Sequence, residues 1–247
     1  MNITAKYRFV VLLSLIFSLL LAGCGKKYEF FDISYSDLPQ ELKYTDLSKK
    51  NVTVKITNLE QLKKFINEYI DIVGYDADLN FIDISDVTSL ERLFAGSIEV
   101  LNIKANENYP HLHFFNGDIS KWNTISVTNM NFTFMGSLFG GDISNWNVSN
   151  VEHLNSTFLL NGKVGNLDLS KWDVSKVKDF TFTFSPLTFF KHDLSNWNVK
   201  NAISLCGTFY NFRPKEEQDS NLLKIYDSWI QQNVKAKEIF TTNCEKL

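Results

Sequence analysis

The sequence predicts an α/β repeat solenoid of about four full coils and one truncated coil, capped by an N-terminal strand and helix and by a C-terminal helix. Three observations carry that prediction. Four of the five tryptophans recur at a beat of 24 to 26 residues, apolar residues keep fixed offsets from each, and amphipathic segments flank the array.

Residues 1–23 read as an export signal. Lys6 and Arg8 supply a positive start, and Phe9 to Ala22 is apolar apart from Ser14 and Ser18. That run is short of the roughly 20 residues a membrane span needs, and it fits a signal-peptide core. Leu21-Ala22-Gly23-Cys24 follows directly and resembles the bacterial lipobox, which implies cleavage before Cys24 and acylation of its thiol and new amino group. Several acyl chains give stable attachment where one does not. Gly25 rather than Asp follows the cysteine, which by resemblance to lipoproteins of two-membrane bacteria suggests release to the outer membrane. The expected location is the cell envelope, facing outward, on the outer membrane or the outer face of the cell membrane. Removal of Lys6 and Arg8 leaves 23 basic and 28 acidic residues, a net charge of −5.

Residues 24–50 are polar with weak periodicity and are expected to be a tether. Residues 51–79 read as the N-terminal cap. Val52-Thr53-Val54-Lys55-Ile56 alternates like a strand, and Thr57 with Glu60 forms a candidate capping box. The helix it opens carries Leu59, Leu62, Ile66, Tyr69 and Ile70 on one face, with Gly74 as its stop.

Residues 80–213 hold the repeat. Trp122, Trp146, Trp172 and Trp197 each sit in the phrase Asp-Ile/Leu-Ser-x-Trp-Asn/Asp, which begins at Asp118, Asp142, Asp168 and Asp193. Five residues past each Trp stand Val127, Val151, Val177 and Ala202, and eight past stand Met130, Leu154, Phe180 and Leu205. Twelve past stand Phe134, Phe158, Phe184 and Phe209, while Phe115, Phe139 and Phe190 precede three of the tryptophans by seven. Asp83-Ile84-Ser85 with Val87, Leu90 and Phe94 is a truncated first copy. The Asp-Ile/Leu-Ser alternation predicts a short strand, and the i, i+3, i+7 spacing of Val, Met/Leu/Phe and Phe predicts a helical segment. A unit this small buries its apolar face only against neighbours, so Trp and Phe are expected in an internal ladder. At the far end, residues 214–247 form the C-terminal cap, with Leu222, Leu223, Tyr226, Trp229 and Ile230 on one helical face.

Composition narrows the function classes. A chain that is 14% aromatic is not disordered, three cysteines do not build a disulfide scaffold, and a net charge of −3 disfavours a nucleic-acid-binding face. With four histidines and no Gly-x-Ser-x-Gly or phosphate loop, the expectation is a non-enzyme without cofactor or metal.

The phrase Gly141 to Val151, Gly-Asp-Ile-Ser-Asn-Trp-Asn-Val-Ser-Asn-Val, resembles the repeat of BspA-like leucine-rich-repeat surface proteins, common as lipoproteins in mycoplasmas and some other bacteria. Leu79 to Ser85 is similar to the start of the array in that group, and the resemblance covers roughly residues 52–212. It implies a leucine-rich-repeat-like fold on the cell surface, with adhesion or host-protein binding in some members and no catalytic residues. This sequence departs from the leucine-rich pattern in using Trp, Phe and Val at its core positions.

Several residue sets are candidate sites. Asp118, Asp142, Asp168 and Asp193 would form either a cation ladder or a series of Asx turns; the turns are favoured, because no Gly-rich calcium repeat accompanies the acids. Asn123, Asn147, Asp173 and Asn198 are expected to stack as a ladder from coil to coil. His111 and His113 would share one side of a strand, without a convincing third metal ligand. Asn147-Val148-Ser149 and Asn155-Ser156-Thr157 are glycosylation sequons of little weight beside a bacterial lipobox. Cys206 and Cys244 leave a disulfide and two free thiols both open, with Cys206 expected to face outward.

The functional expectation is a monomeric envelope lipoprotein, held in the membrane by its lipid, that presents outward residues such as Lys121, Asn145, Lys171 and Asn196 to host or envelope proteins. A structural envelope lipoprotein without host ligand is the alternative, and an enzyme with an unrecognised site is the weakest.

Overall fold

The computed structural model describes residues 27–98, 106–185, 191–210, 220–239 and 241. Three short strands, β1 (Tyr28–Phe31), β2 (Val52–Lys55) and β3 (Ile82–Asp83), form a parallel sheet in the order β1-β2-β3. The two α-helices among the described residues are α1 (Leu59–Val73) and α2 (Ser220–Gln232).

The predicted α/β solenoid is thereby overturned. Both α-helices lie outside the repeat, and the only sheet among the described residues is the three-stranded one at the N-terminal end. The copies consist of turns joined by isolated parallel bridges, Ser89 to Asn129 to His153 to Asp179 to Ser204. The physical reason lies two residues past each Met130-type position. Arg92, Phe132, Ser156, Phe182 and Gly207 all take positive φ, between 52° and 62°, which a right-handed helix does not tolerate. The chain instead closes three-residue turns such as Thr133 N–H to the Met130 carbonyl, 3.2 Å. Alternate amides then point at the next copy: Met130, Phe132 and Phe134 donate to the carbonyls of His153, Asn155 and Thr157 at 2.8–2.9 Å. Leu154, Ser156 and Phe158 donate in the same way to Asp179, Thr181 and Thr183. A spacing that reads as a helical face is therefore a stacked turn whose apolar side chains point inward.

The N-terminal segment is also revised. Residues 28–50, expected as part of the tether, belong to the folded body. β1 pairs with β2 in the register Tyr28 to Val52 through Phe31 to Lys55, and Tyr35, Leu38, Leu42 and Leu47 are buried. Weak periodicity hid this, because two short 3-10 turns, Tyr35–Asp37 and Leu47–Lys49, carry the buried residues. The side chain of Tyr69 on α1 locks the segment, its hydroxyl accepting the Leu47 N–H at 2.9 Å, and burial raises the Tyr69 pKa. Helix α1 occupies the predicted place and buries Leu62, Phe65, Ile66, Tyr69 and Ile70. Its cap is Asn58, which accepts the Gln61 N–H, rather than a Thr57–Glu60 box. Thr57 instead binds the carboxylate of Asp32 through its N–H and hydroxyl.

One core runs from α1 through the copies to α2. Phe94, Phe134, Phe158, Phe184 and Phe209 stack with centroids 5.3–5.7 Å apart. Beside them each indole N–H donates to the preceding layer: Trp122 to Leu79, Trp146 to Ile119, Trp172 to Ile143 and Trp197 to Leu169, all at 3.0 Å. Trp229 of α2 completes the series, donating to Leu194 at 3.0 Å and stacking 6.0 Å from Trp197. The terminal helix thus ends the array by supplying the ring that a further copy would have supplied.

Candidate functional surface

Each aspartate of the repeated phrase caps its own turn. Asp118, Asp142, Asp168 and Asp193 accept the N–H of the serine two residues on, at 2.8 to 3.1 Å. At Asp118, Asp168 and Asp193 these bonds favour the charged form. The Ser170 hydroxyl lowers the Asp168 pKa, helped by the Ser170 amide. Lys224, 2.5 Å away, lowers that of Asp193 to about 2. At Asp118 burial pulls upward but is outweighed by the bonds from Ser120 and Asn80. Among the described residues no group of three or more His, Cys, Asp or Glu is arranged to hold a metal ion.

The expected coil-to-coil ladder after each Trp is corrected by the same chemistry. Asn123, Asn147, Asp173 and Asn198 accept the N–H two residues on within their own copy, at 3.0 to 3.3 Å. Bridging falls to other residues. Asn150 donates to the Ile125 carbonyl and Asn201 to the Ser175 carbonyl, both at 2.8 Å. Fully buried Thr133, Thr157, Thr183 and Thr208 reach the carbonyls of Leu90, Met130, Leu154 and Phe180 in the copies before them, at 2.9–3.0 Å. The regular Thr eleven residues past each Trp was the available signal for this ladder.

Both ends of the array are tied by asparagines. Asn106 Nδ2 donates to the Arg92, Leu93 and Ala95 carbonyls of the first copy at 2.6–3.3 Å. Asn233 Nδ2 donates to Val199 and Ala202 of the last, at 3.0 and 2.8 Å. The 3-10 turn Val234–Glu238 follows α2, and the Glu238 and Ile239 carbonyls accept the N–H groups of Gly207 and Phe209.

His111 and His113 do not share a strand. They flank Leu112 at the 3-10 turn Leu112–Phe114, where His111 Nδ1 meets Asp71 at 2.6 Å and burial lowers the His113 pKa. Cys206 is 1% exposed, against the expected outward placement, and is disulfide-bonded. Its neighbours explain the burial, since Cys206 sits where the last copy meets the segment after α2, with the Thr241 carbonyl 3.4 Å from its sulfur. Cys24, Cys244 and Phe190 lie outside the described residues.

What remains for recognition is the outside of the stack. Lys121, Asn145, Lys171 and Asn196 are all exposed, one residue before a buried Trp. They recur at one offset of successive copies, 24 to 26 residues apart in the chain. Lys178 is paired to Glu152 on the layer before it. Exposed apolar residues such as Ile125, Leu138, Leu160 and Ile203 occupy different offsets and do not align.

Residues 103–222 match the family model described as "Mycoplasma protein of unknown function, DUF285". That stretch holds the four Trp-bearing copies, which are thus similar to a mycoplasma-associated family. No curated protein and no solved structure matches the chain.

Proposed function

We propose that the chain is a BspA-like repeat surface lipoprotein, anchored through Cys24, that binds proteins of the host or the envelope with the exposed residues of its stacked copies. The observation that carries the reading is the division of labour within each copy. Trp122, Trp146, Trp172 and Trp197 with Phe134, Phe158, Phe184 and Phe209 are consumed by the interior, while the residue before each Trp is exposed at the same offset in all four copies. Such a surface suits recognition by many weak polar contacts rather than by a single pocket. The mycoplasma family match and the Leu21-Ala22-Gly23-Cys24 box support the envelope address. Among the described residues no helix is long and apolar enough to cross a membrane, so the lipid would be the anchor.

Metabolic labelling with a tagged palmitate tests the anchor. The wild-type chain should take up label and partition with membranes, and Cys24→Ala should do neither. Protease shaving of intact cells tests display: loss of the protein supports it, while full protection would favour the structural envelope role. Pull-down of host extracellular proteins by wild type but not by a Lys121→Glu/Lys171→Glu variant would support these positions as the contact.

A further inference from the structure

We propose that the β1 end of the stack rests on the membrane at headgroup depth, so that the array stands away from the bilayer with α2 at its far end. This rests on the reading of Cys24 as the lipid-bearing residue. Only Gly25, Lys26 and Lys27 separate Cys24 from Tyr28, the first residue of β1. Four residue steps at full extension reach about 14 Å, and the headgroup layer occupies much of that distance. With residues 28–50 folded into the body, no long tether remains to lift the protein off the surface.

The two ends of the stack differ in the way this placement requires. The α2 end is closed by its own chain, through Trp229, Asn233 and the Glu238 and Ile239 carbonyls. At the other end β1 pairs with β2 on one side, and among the described residues no strand lies on the other. Its outward-facing residues are exposed Glu29, paired with Lys27 at 2.5 Å, and Phe31, which is 60% exposed. An open sheet edge in water invites pairing with another chain. Hydrated headgroups offer that edge donors and acceptors that the hydrocarbon interior lacks, and they accommodate a single aromatic ring and neighbouring lysines. From β1 through β2, the five copies and the segment after α2 there are seven steps of ~4.8 Å, so the far end stands about 34 Å above the first strand along the stack. The partner is the lipid surface of the cell that made the protein.

The test uses the acylated full-length protein in phosphatidylcholine–phosphatidylglycerol vesicles that carry a headgroup nitroxide quencher. A fluorescent coumarin side chain replaces either Phe31 or Leu223, an exposed residue of α2 at the opposite end. Flotation and palmitate labelling are read on the same samples. The expected result is flotation with several-fold stronger quenching at position 31 than at position 223. Flotation and labelling with equal or reversed quenching would overturn the orientation while leaving the lipid anchor intact. Failure to take up palmitate or to float would overturn the anchor, and the orientation with it.

Discussion

Trp229 offers the sharpest test of how the array ends. Its indole is fully buried, stacks on Trp197 at an interplanar angle of 11° and donates to the Leu194 carbonyl at 3.0 Å. Trp229→Ala removes the ring, the stacking and the hydrogen bond together, and losses of this kind cost about 3–5 kcal/mol. At roughly 2–4 °C per kcal/mol for a domain of this size, Tm should fall by about 10 °C. Trp229→Phe keeps a ring but deletes the N–H, so its cost should be near that of one buried hydrogen bond plus imperfect packing, about 1–3 kcal/mol. Leu223→Ala on the same helix is the control, because Leu223 is 47% exposed, and it should stay within about 0.5 kcal/mol of wild type. Urea unfolding followed by near-UV circular dichroism measures all three. A Trp229→Ala variant as stable as Leu223→Ala would refute the reasoning that α2 supplies the terminal rung. A double-mutant cycle between Trp197 and Trp229 should then show coupling of about 0.5–1.5 kcal/mol beyond area burial.

Other expectations follow from single positions. Gly207→Ala should destabilise by at least about 1–3 kcal/mol, since φ is +62° and an added Cβ would lie 2.3 Å from the Phe182 ring; calorimetry checks it. Asn106→Ala should cost about 1–3 kcal/mol in urea unfolding, because three carbonyls of the first copy lose their side-chain donor. Asp193 is held down to about 2 by Lys224, so its stabilisation is present above the unfolded pKa of roughly 4 and is lost as pH falls from there through 2. The pair is largely exposed, so Lys224→Met should flatten that acid limb by no more than about 1 kcal/mol, as unfolding free energy against pH would show. Melting curves should be unchanged by calcium or chelator, since the repeat aspartates are engaged with serine amides.

The parts of this architecture that were legible are those where one residue type has one use. Trp at a 25-residue beat announced a shared interior, and the apolar face of α1 lies where its periodicity put it, whereas α2 buries Leu222, Ile225 and Trp229 and leaves Leu223 of the expected face exposed. The helical reading of each copy failed because a spacing of three and seven does not distinguish a helix from a stacked turn. The deciding feature is the positive φ at Arg92, Phe132, Ser156, Phe182 and Gly207, and only the last of these is a glycine. The strain at the other four is offset by packing and inter-copy bonds, so it leaves no compositional trace. Residues 28–50 escaped for a related reason, since turns and one edge strand bury Tyr35, Leu38, Leu42 and Leu47 without a period. Trp229 carries no repeat phrase and is identified as a rung only by its bond to Leu194. Lys121, Asn145, Lys171 and Asn196 were readable as exposed positions, because they adjoin buried tryptophans.

The copies, which hold no α-helix among the described residues, are joined by backbone bonds running from one copy to the next. Residue-resolved hydrogen exchange tests that joining most directly, at the amides of Phe134, Phe158 and Phe184, which donate to Thr157, Thr183 and Thr208 at 2.8–2.9 Å. These three amides should exchange only through global unfolding, as slowly as the most protected amides of α1. Exchange at the rate of exposed loop amides, with α1 still protected, would contradict the stacked arrangement.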